Sequence, residues 1–293
     1  MRNALCLVLL SLAACSSPKT AVVNPGPDTS GTRPAEAPDI VLLTVSGRNL
    51  DLLDLFCPPE CNLPYLGDAG GAGESLQTEI ESLGYTVERD DYIAALQSYD
   101  DDGDSIADRL GFLQLVSDLV WIRDNWIGTF EDPTKIVIYA HSHGCVWAHI
   151  AASVVPDCPI EVLASIDGVC LQWEADHDGS VDDYVNANGN PWPWDISSPC
   201  DEWTVPGQGD RLDTKDVVFD NVRFNLEVKS TGVNLLFGLI ADTVDNRRLD
   251  GTETDITRLP AGSEGHSDVD DPGSAAYDWV VARLGEILAP PAS

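Results

Sequence analysis

The ten residues Lys135-Ile136-Val137-Ile138-Tyr139-Ala140-His141-Ser142-His143-Gly144 constrain this chain more tightly than any other stretch. An apolar run rich in β-branched residues reads as a strand buried on both faces. It stops abruptly at Ala-x-Ser-x-Gly, and a segment compatible with helix, Cys145 to Val155, follows at once. A serine placed between a buried strand and a helix sits on a sharp turn. The positions two before and two after it must be small, because strand and helix backbones crowd together there. Ala140 and Gly144 meet that need.

The rest of the chain supplies partners for such a strand. Ile40 to Val45 reads as a continuous apolar strand, with Ser46-Gly47-Arg48-Asn49 as its exit loop. Ser75 to Leu83 reads as a helix ended by Gly84, and Tyr85 to Glu88 as the following strand. Ile106, Leu110, Leu113, Val116, Leu119, Val120, Ile122 and Ile127 fall at helical spacing and predict one helix over 106–127. Ile160 to Ile166 reads as another buried strand, ending in Asp167-Gly168. Val217 to Val228 contains a further strand, and Ala275 to Leu288 closes the chain as an amphipathic helix. Strands that alternate with helices, several of them uniformly apolar, imply an α/β domain: a mostly parallel sheet covered on both faces. Residues 171–215, full of Asp, Asn, Pro, Trp and Gly, read as an irregular, lid-like insertion. Its Trp173, Trp192, Trp194 and Trp203 line a pocket or form the small core of a loop, and His177 reads as a surface residue.

Met1-Arg2-Asn3 is a short basic start, and the apolar stretch Ala4 to Leu12 is too short to span a bilayer. Leu12-Ala13-Ala14-Cys15 resembles the bacterial lipobox. The resemblance implies a lipoprotein signal peptide over 1–14, acylation of Cys15 and, with Ser16 next, a place in the outer membrane of the cell envelope. Residues 15–38, rich in Pro, Ser, Thr, Gly and Ala, read as a flexible tether to a domain over 39–290. The chain is then anchored to a membrane rather than spanning it. Its net charge of -33 and pI near 4.1 exclude nucleic acid as a natural partner. Past Cys6 and Cys15 stand Cys57, Cys61, Cys145, Cys158, Cys170 and Cys200, an even count that suggests disulfides in an exported chain. Cys57 and Cys61 are one candidate pair and Cys158 and Cys200 another. Cys145 and Cys170 read equally well as buried free thiols.

The elbow serine, a second strand ending in Asp and a late His together resemble the α/β-hydrolase superfamily, over about residues 39–288. Ala at the first elbow position, where Gly is commoner, is also found among bacterial lipases. The resemblance implies a serine hydrolase that cleaves carboxylic esters, of a small molecule or a lipid, through an acyl-serine intermediate with no organic cofactor. Ser142 is the nucleophile it implies, and His266, in Gly265-His266-Ser267-Asp268, the base. Asp167 is the acid that orients the base. It resembles the Leu-Asp-Pro segment of pancreatic-type lipases, with Gly168 in place of Pro; Asp242 is the alternative. The oxyanion donors are the N–H of His143 and that of Gly47 or Arg48, although the exit loop lacks the His-Gly of many esterases. A catalytically inactive hydrolase-fold binding protein, or a calcium-dependent adhesion protein, is the other reading. His141, His143 and His149 also raise the metal site of metallo-β-lactamase-like hydrolases. The Asp-His pair that continues such sites is replaced here by Gly144-Cys145, and His149 reads as a packed helix residue.

Asp100-Asp101-Asp102-Gly103-Asp104-Ser105-Ile106-Ala107-Asp108 resembles the calcium loops of thrombospondin-type and dockerin-type repeats. Asp100, Asp102, Asp104 and Asp108 are the ligands it implies for a structural Ca2+. Asp176 to Asp183 is a second, poorer match.

Overall fold

The computed structural model describes residues 31–48, 61–128, 130–170, 173–190, 196–201, 203–204, 211–230, 233–234, 238–239, 244–259 and 264–289. The signal peptide and most of the tether, Cys15, Cys57, Trp192, Trp194 and Asp242 lie outside these residues, as does the side chain of Trp203.

The principal elements follow as β1 (Ile40–Val45), α1 (Ala72–Ser82), β2 (Val87–Tyr92), α2 (Phe112–Ile122), β3 (Lys135–His141), α3 (His143–Val154), β4 (Ile160–Ile166), α4 (Trp173–Asn188), β5 (Val222–Val228), β6 (Ile256–Leu259) and α5 (Ala275–Leu288). The six strands form one sheet in the order β6-β5-β4-β3-β1-β2, and every neighbouring pair is parallel. The α/β class expected from the alternation is present, with helices on both faces. In β1, Ile40 and Leu42 face one way, towards Leu76 and Ile80 of α1 and Val280 and Leu284 of α5. Val41, Leu43 and Val45 face the other way, towards Leu115 and Leu119 of α2 and Val146 and Ile150 of α3. Two cores, one per face, explain why the central strands carry no polar alternation.

All twelve residues of α3 are buried. A helix that is buried all round needs cover on its outer side. Trp173 and Val181 of α4 belong to the same core as α3 and help supply that cover.

The strand order places the site. β2 lies outside β1, and the chain then crosses back to lay β3 along the other side of β1. Where the direction of winding reverses, the connections at the carboxyl ends of the two strands part and leave a crevice. The loop after β1 and the turn after β3 meet there. At the opposite end of the sheet the described chain begins. Glu131, ahead of β3, donates its N–H to the Gly31 carbonyl at 2.6 Å, and Arg33 donates its N–H to Asp132 at 3.0 Å.

Several expected elements differ. α1 begins at Ala72 and β2 runs on to Tyr92. The long helix expected over 106–127 begins only at Phe112, and Arg123–Ile127 continues it as a π-helical turn. Before it, Tyr92 bridges Leu110, and Tyr99 bridges Arg109, so the backbone there hydrogen-bonds to other segments instead of to its own helix. Ile106 is 40 % exposed in the acidic loop. The strand expected in 217–228 is confined to Val222–Val228; Val217–Val218 pairs separately with Arg247–Arg248. The insertion is not irregular at its start, because α4 occupies sixteen residues of it. Trp173, His177 and Val181, spaced by four, make its buried stripe, and Glu174 and Asp176 stand favourably in its positive first turn. The second calcium-like segment, Asp176 to Asp183, is therefore helix, and a helix cannot wrap its own carboxylates around one ion.

The cysteine pairing also differs. Cys170 is bonded to Cys200, while Cys158 and Cys145 are buried free thiols. Cys158 lies between α3 and β4, within reach of the Leu119 carbonyl, and its burial pushes the thiol up to about 12. Cys61 is disulfide-bonded.

Candidate active site

β3 ends at His141, and Ser142 turns the chain directly into α3 with φ 56° and ψ -128°. Such a conformation is unusual for a residue with a side chain. Neighbouring contacts hold it: the Ser142 N–H donates to the Ile166 carbonyl at 3.1 Å, and its carbonyl accepts from Cys145 at 3.0 Å. The need for glycine at 144 is visible as a distance. A Cβ there would lie 2.1 Å from the Val45 carbonyl oxygen. The elbow, the only element read from sequence as a tight turn, is packed directly against the exit of β1.

Asp167 follows β4, also at positive φ (47°), with its N–H on the Val228 carbonyl at 2.8 Å. Its carboxylate accepts from the Ser230 N–H at 2.8 Å and from the Ser230 hydroxyl. His266 Nδ1 lies 2.6 Å from Asp167 Oδ2, and His266 Nε2 lies 2.9 Å from Ser142 Oγ. A carboxylate only accepts, so Nδ1 carries the proton, and Nε2 presents its lone pair to the serine hydroxyl. Burial would raise the Asp167 carboxyl, but hydrogen bonds from His266 and Ser230 outweigh it and hold the group below the usual range. Ser142, His266 and Asp167, 124 and 99 residues apart in their two contacts, form one continuous chain of hydrogen bonds.

The site is closed. Ser142 is 4 % exposed and His266 9 %. Arg48, on the exit loop of β1, pairs with Asp176 of α4 at 3.1 Å, and His143 Nδ1 lies 3.9 Å from the same carboxylate. His177, expected at the surface, is fully buried against Trp147 and Trp173. Trp173 is thus core. Of the expected oxyanion donors, His143 opens α3, where N–H groups point outward along the axis. Gly47 abuts Ser142, since a Cβ on it would lie 2.5 Å from the serine Cβ. Its N–H, however, is given to the Tyr65 hydroxyl at 2.8 Å, which removes Gly47 from that role.

The three histidines of the alternative metal reading do not converge. His141 contacts Tyr65 and His266, whereas His149 lies between the Val217 carbonyl and the Ser165 hydroxyl, at 2.7 and 2.8 Å. Among the described residues, the one group able to hold a metal ion is Asp100, Asp102 and Asp108, whose ligand atoms lie within 4.8 Å of one another. Asp104 is not in that group; its carboxylate accepts from Ile106 at 2.7 Å. Every donor in the group is a hard oxygen, as calcium requires.

No protein-family model matches the chain, and no curated protein matches it. Solved structures do. Mouse alpha/beta hydrolase domain-containing protein 10 is 14 % identical over 84 % of this chain and 88 % of its own, with a TM-score of 0.41. The esterase Pf2001 of Pyrococcus furiosus is 12 % identical over 85 % and 80 %, with 0.43. Est1E from Butyrivibrio proteoclasticus is 11 % identical over 89 % and 91 %, with 0.40. Likeness at this level carries no inference about activity. The strand order, the all-parallel sheet and the elbow between β3 and α3 make the architecture an α/β-hydrolase fold in their own right.

Tyr65, Ser230 and Asp270 also stand at the site and were not singled out from sequence. Ser230 holds Asp167. Asp270 Oδ2 lies 3.7 Å from His141 Nδ1, and burial pushes its carboxyl up to about 6. All three are common residue types in loops, and nothing in the linear pattern marks them.

Proposed function

We propose that the chain is a serine hydrolase that cleaves carboxylic esters. The observation that carries the proposal is the pair of contacts made by His266, 2.9 Å to Ser142 Oγ and 2.6 Å to Asp167 Oδ2. In this reading His266 Nε2 takes the hydroxyl proton as Ser142 Oγ attacks the ester carbonyl carbon. The tetrahedral oxyanion is met by the His143 N–H, with Arg48 as the second donor. Asp167 stabilises the imidazolium, which returns its proton to the departing alcohol. Water then repeats the sequence on the acyl-serine, releasing the acid and restoring Ser142. No organic cofactor has a part in these steps.

The test is labelling of the protein with a fluorophosphonate, beside Ser142→Ala, followed by hydrolysis of p-nitrophenyl esters of graded chain length. Labelling and turnover by the parent but not the variant are expected. A folded parent that neither labels nor turns over any ester would sink the proposal and favour the inactive binding-protein reading.

We further propose that Asp100, Asp102 and Asp108 hold a structural Ca2+, and that Cys15 carries a lipid anchoring the domain in the cell envelope. Mass spectrometry of the detergent-extracted protein tests the second. An intact, unacylated N-terminus would refute it.

A further inference from the structure

A second chain of hydrogen bonds runs behind the first. The Gly47 N–H donates to Tyr65 Oη at 2.8 Å, Tyr65 Oη meets His141 Nδ1 at 2.6 Å, and His141 Nε2 meets the His266 carbonyl oxygen at 2.9 Å. A carbonyl only accepts, so His141 Nε2 must carry the ring proton and Nδ1 must receive the Tyr65 hydroxyl. The chain runs in one direction, the Tyr65 hydroxyl accepting from Gly47 and donating to His141. Burial, with the neighbouring His266 adding to it, depresses His141 to about 3, so its ring stays neutral and keeps that tautomer. Burial likewise raises the Tyr65 hydroxyl well above its ordinary range, so it stays a donor.

These bonds join segments that have little else in common. Tyr65 opens a 3-10 turn that is itself pinned to the exit loop of β1, because the Leu66 N–H donates to Ser46 Oγ at 3.1 Å. His141 is the last residue of β3. His266 lies in the connection between β6 and α5, outside any strand. The His141 ring also lies alongside the His266 ring, with centroids 4.8 Å apart and planes 33° apart, and Tyr65 meets His141 edge-on. Gly47, at one end of the chain, is in van der Waals contact distance of Ser142; His266, at the other end, is its hydrogen-bond partner.

We infer that Tyr65 and His141 are positioning residues, which lock the main chain of His266 and the exit loop of β1 into one frame on either side of Ser142. The inference rests on the hydrolase reading above. Neither residue touches the reacting atoms, so their loss displaces the base and the oxyanion side of the site relative to the serine. Displacements of about 1 Å cost on the order of 100-fold in rate where reacting groups must be aligned.

The test compares the parent with Tyr65→Phe, His141→Leu and His141→Gln, using p-nitrophenyl butyrate turnover and thermal melting. Gln is the informative variant: its amide oxygen accepts from Tyr65 while its N–H donates to the His266 carbonyl. Tyr65→Phe and His141→Leu are expected to lower kcat about 10- to 100-fold with KM within about twofold of the parent, and His141→Gln to recover kcat to within about threefold. A purely structural role would make kcat follow the melting temperature, with no advantage for Gln over Leu; that outcome, or an unchanged kcat in Tyr65→Phe, would overturn the inference. If His141→Leu fails to fold, Tyr65→Phe and His141→Gln decide alone. A parent that does not label with fluorophosphonate fails the hydrolase reading itself, whereas a labelled parent with indifferent variants fails only the positioning role.

Discussion

Ser142 and Asp167 both stand at positive φ, 56° and 47°, which costs a residue with a side chain of order 1–3 kcal/mol each. Their neighbours over-determine them: Ser142 is held by Ile166 and Cys145, Asp167 by Val228 and Ser230. Asn tolerates this backbone region, so Asp167→Asn removes the charge and leaves the turn in place. It is expected to lower kcat by about 10⁴-fold, because the ring of His266 loses the partner that fixes its tautomer; ester turnover beside circular dichroism checks this. Asp270 makes a prediction about pH. Its carboxyl is raised by burial to about 6 from an ordinary 3.8, so it favours the fold when protonated and opposes it once ionised. Relative to the parent, Asp270→Asn should be neutral below pH 4 and should stabilise by about 1–3 kcal/mol above pH 6. Urea unfolding at pH 4 and pH 8 reads that difference, and equal stabilities at pH 8 would refute it. Ser142 and His266 were legible in the sequence because each sits at a position that the chain order of the fold fixes; Asp167 shared that order with Asp242, and only its contact with His266 brings it to the site. Tyr65 was not, since its contact with His141 spans 76 residues and depends on how a short turn packs.

At the scale of elements, the elbow depends on a missing atom. With a Cβ at 144 only 2.1 Å from the Val45 carbonyl and 2.9 Å from that of Ser46, the obstacle is the main chain at the exit of β1, which cannot yield as a flexible side chain would. Gly144→Ala is expected to destabilise by about 3 kcal/mol or more, seen as a lower urea midpoint or loss of soluble protein. α4 depends on a covalent tie. Cys170 and Cys200 are separated by 30 residues, and closing a loop of that length restrains the unfolded chain by about 3–4 kcal/mol. Cys200→Ser should lower stability by about that amount, as measured by urea unfolding. A loss below about 1 kcal/mol would mean that the bond does not restrain the unfolded chain. The central strands were legible because they are apolar on both faces. α4 was obscured by its Asp, Asn and Gly content, which reads as loop until one sees that only one narrow stripe is buried. The helix over 106–127 was overextended for the opposite reason: Ile106 and Leu110 keep helical spacing in a stretch whose backbone pairs elsewhere.

For the whole molecule, the excess of 49 acidic over 16 basic residues sets a background of self-repulsion. Calcium at Asp100, Asp102 and Asp108 would relieve part of it locally. Saturating Ca2+, at 100 times its Kd, should stabilise the parent by about 2.7 kcal/mol. Asp102→Asn combined with Asp108→Asn should abolish the effect, with sodium chloride at matched ionic strength as the control. A calcium response surviving in that variant would place the ion elsewhere. The arrangement of the whole has one further consequence. The described chain begins beside Glu131, ahead of β3, and Ser142 lies just past the other end of that strand, whose seven residues span about 23 Å. A lipid attached at Cys15 would therefore join the described domain at the end of the sheet away from Ser142. Removing residues 1–30 should then leave turnover of soluble esters unchanged, and a steep loss would show that the anchor takes part in the chemistry.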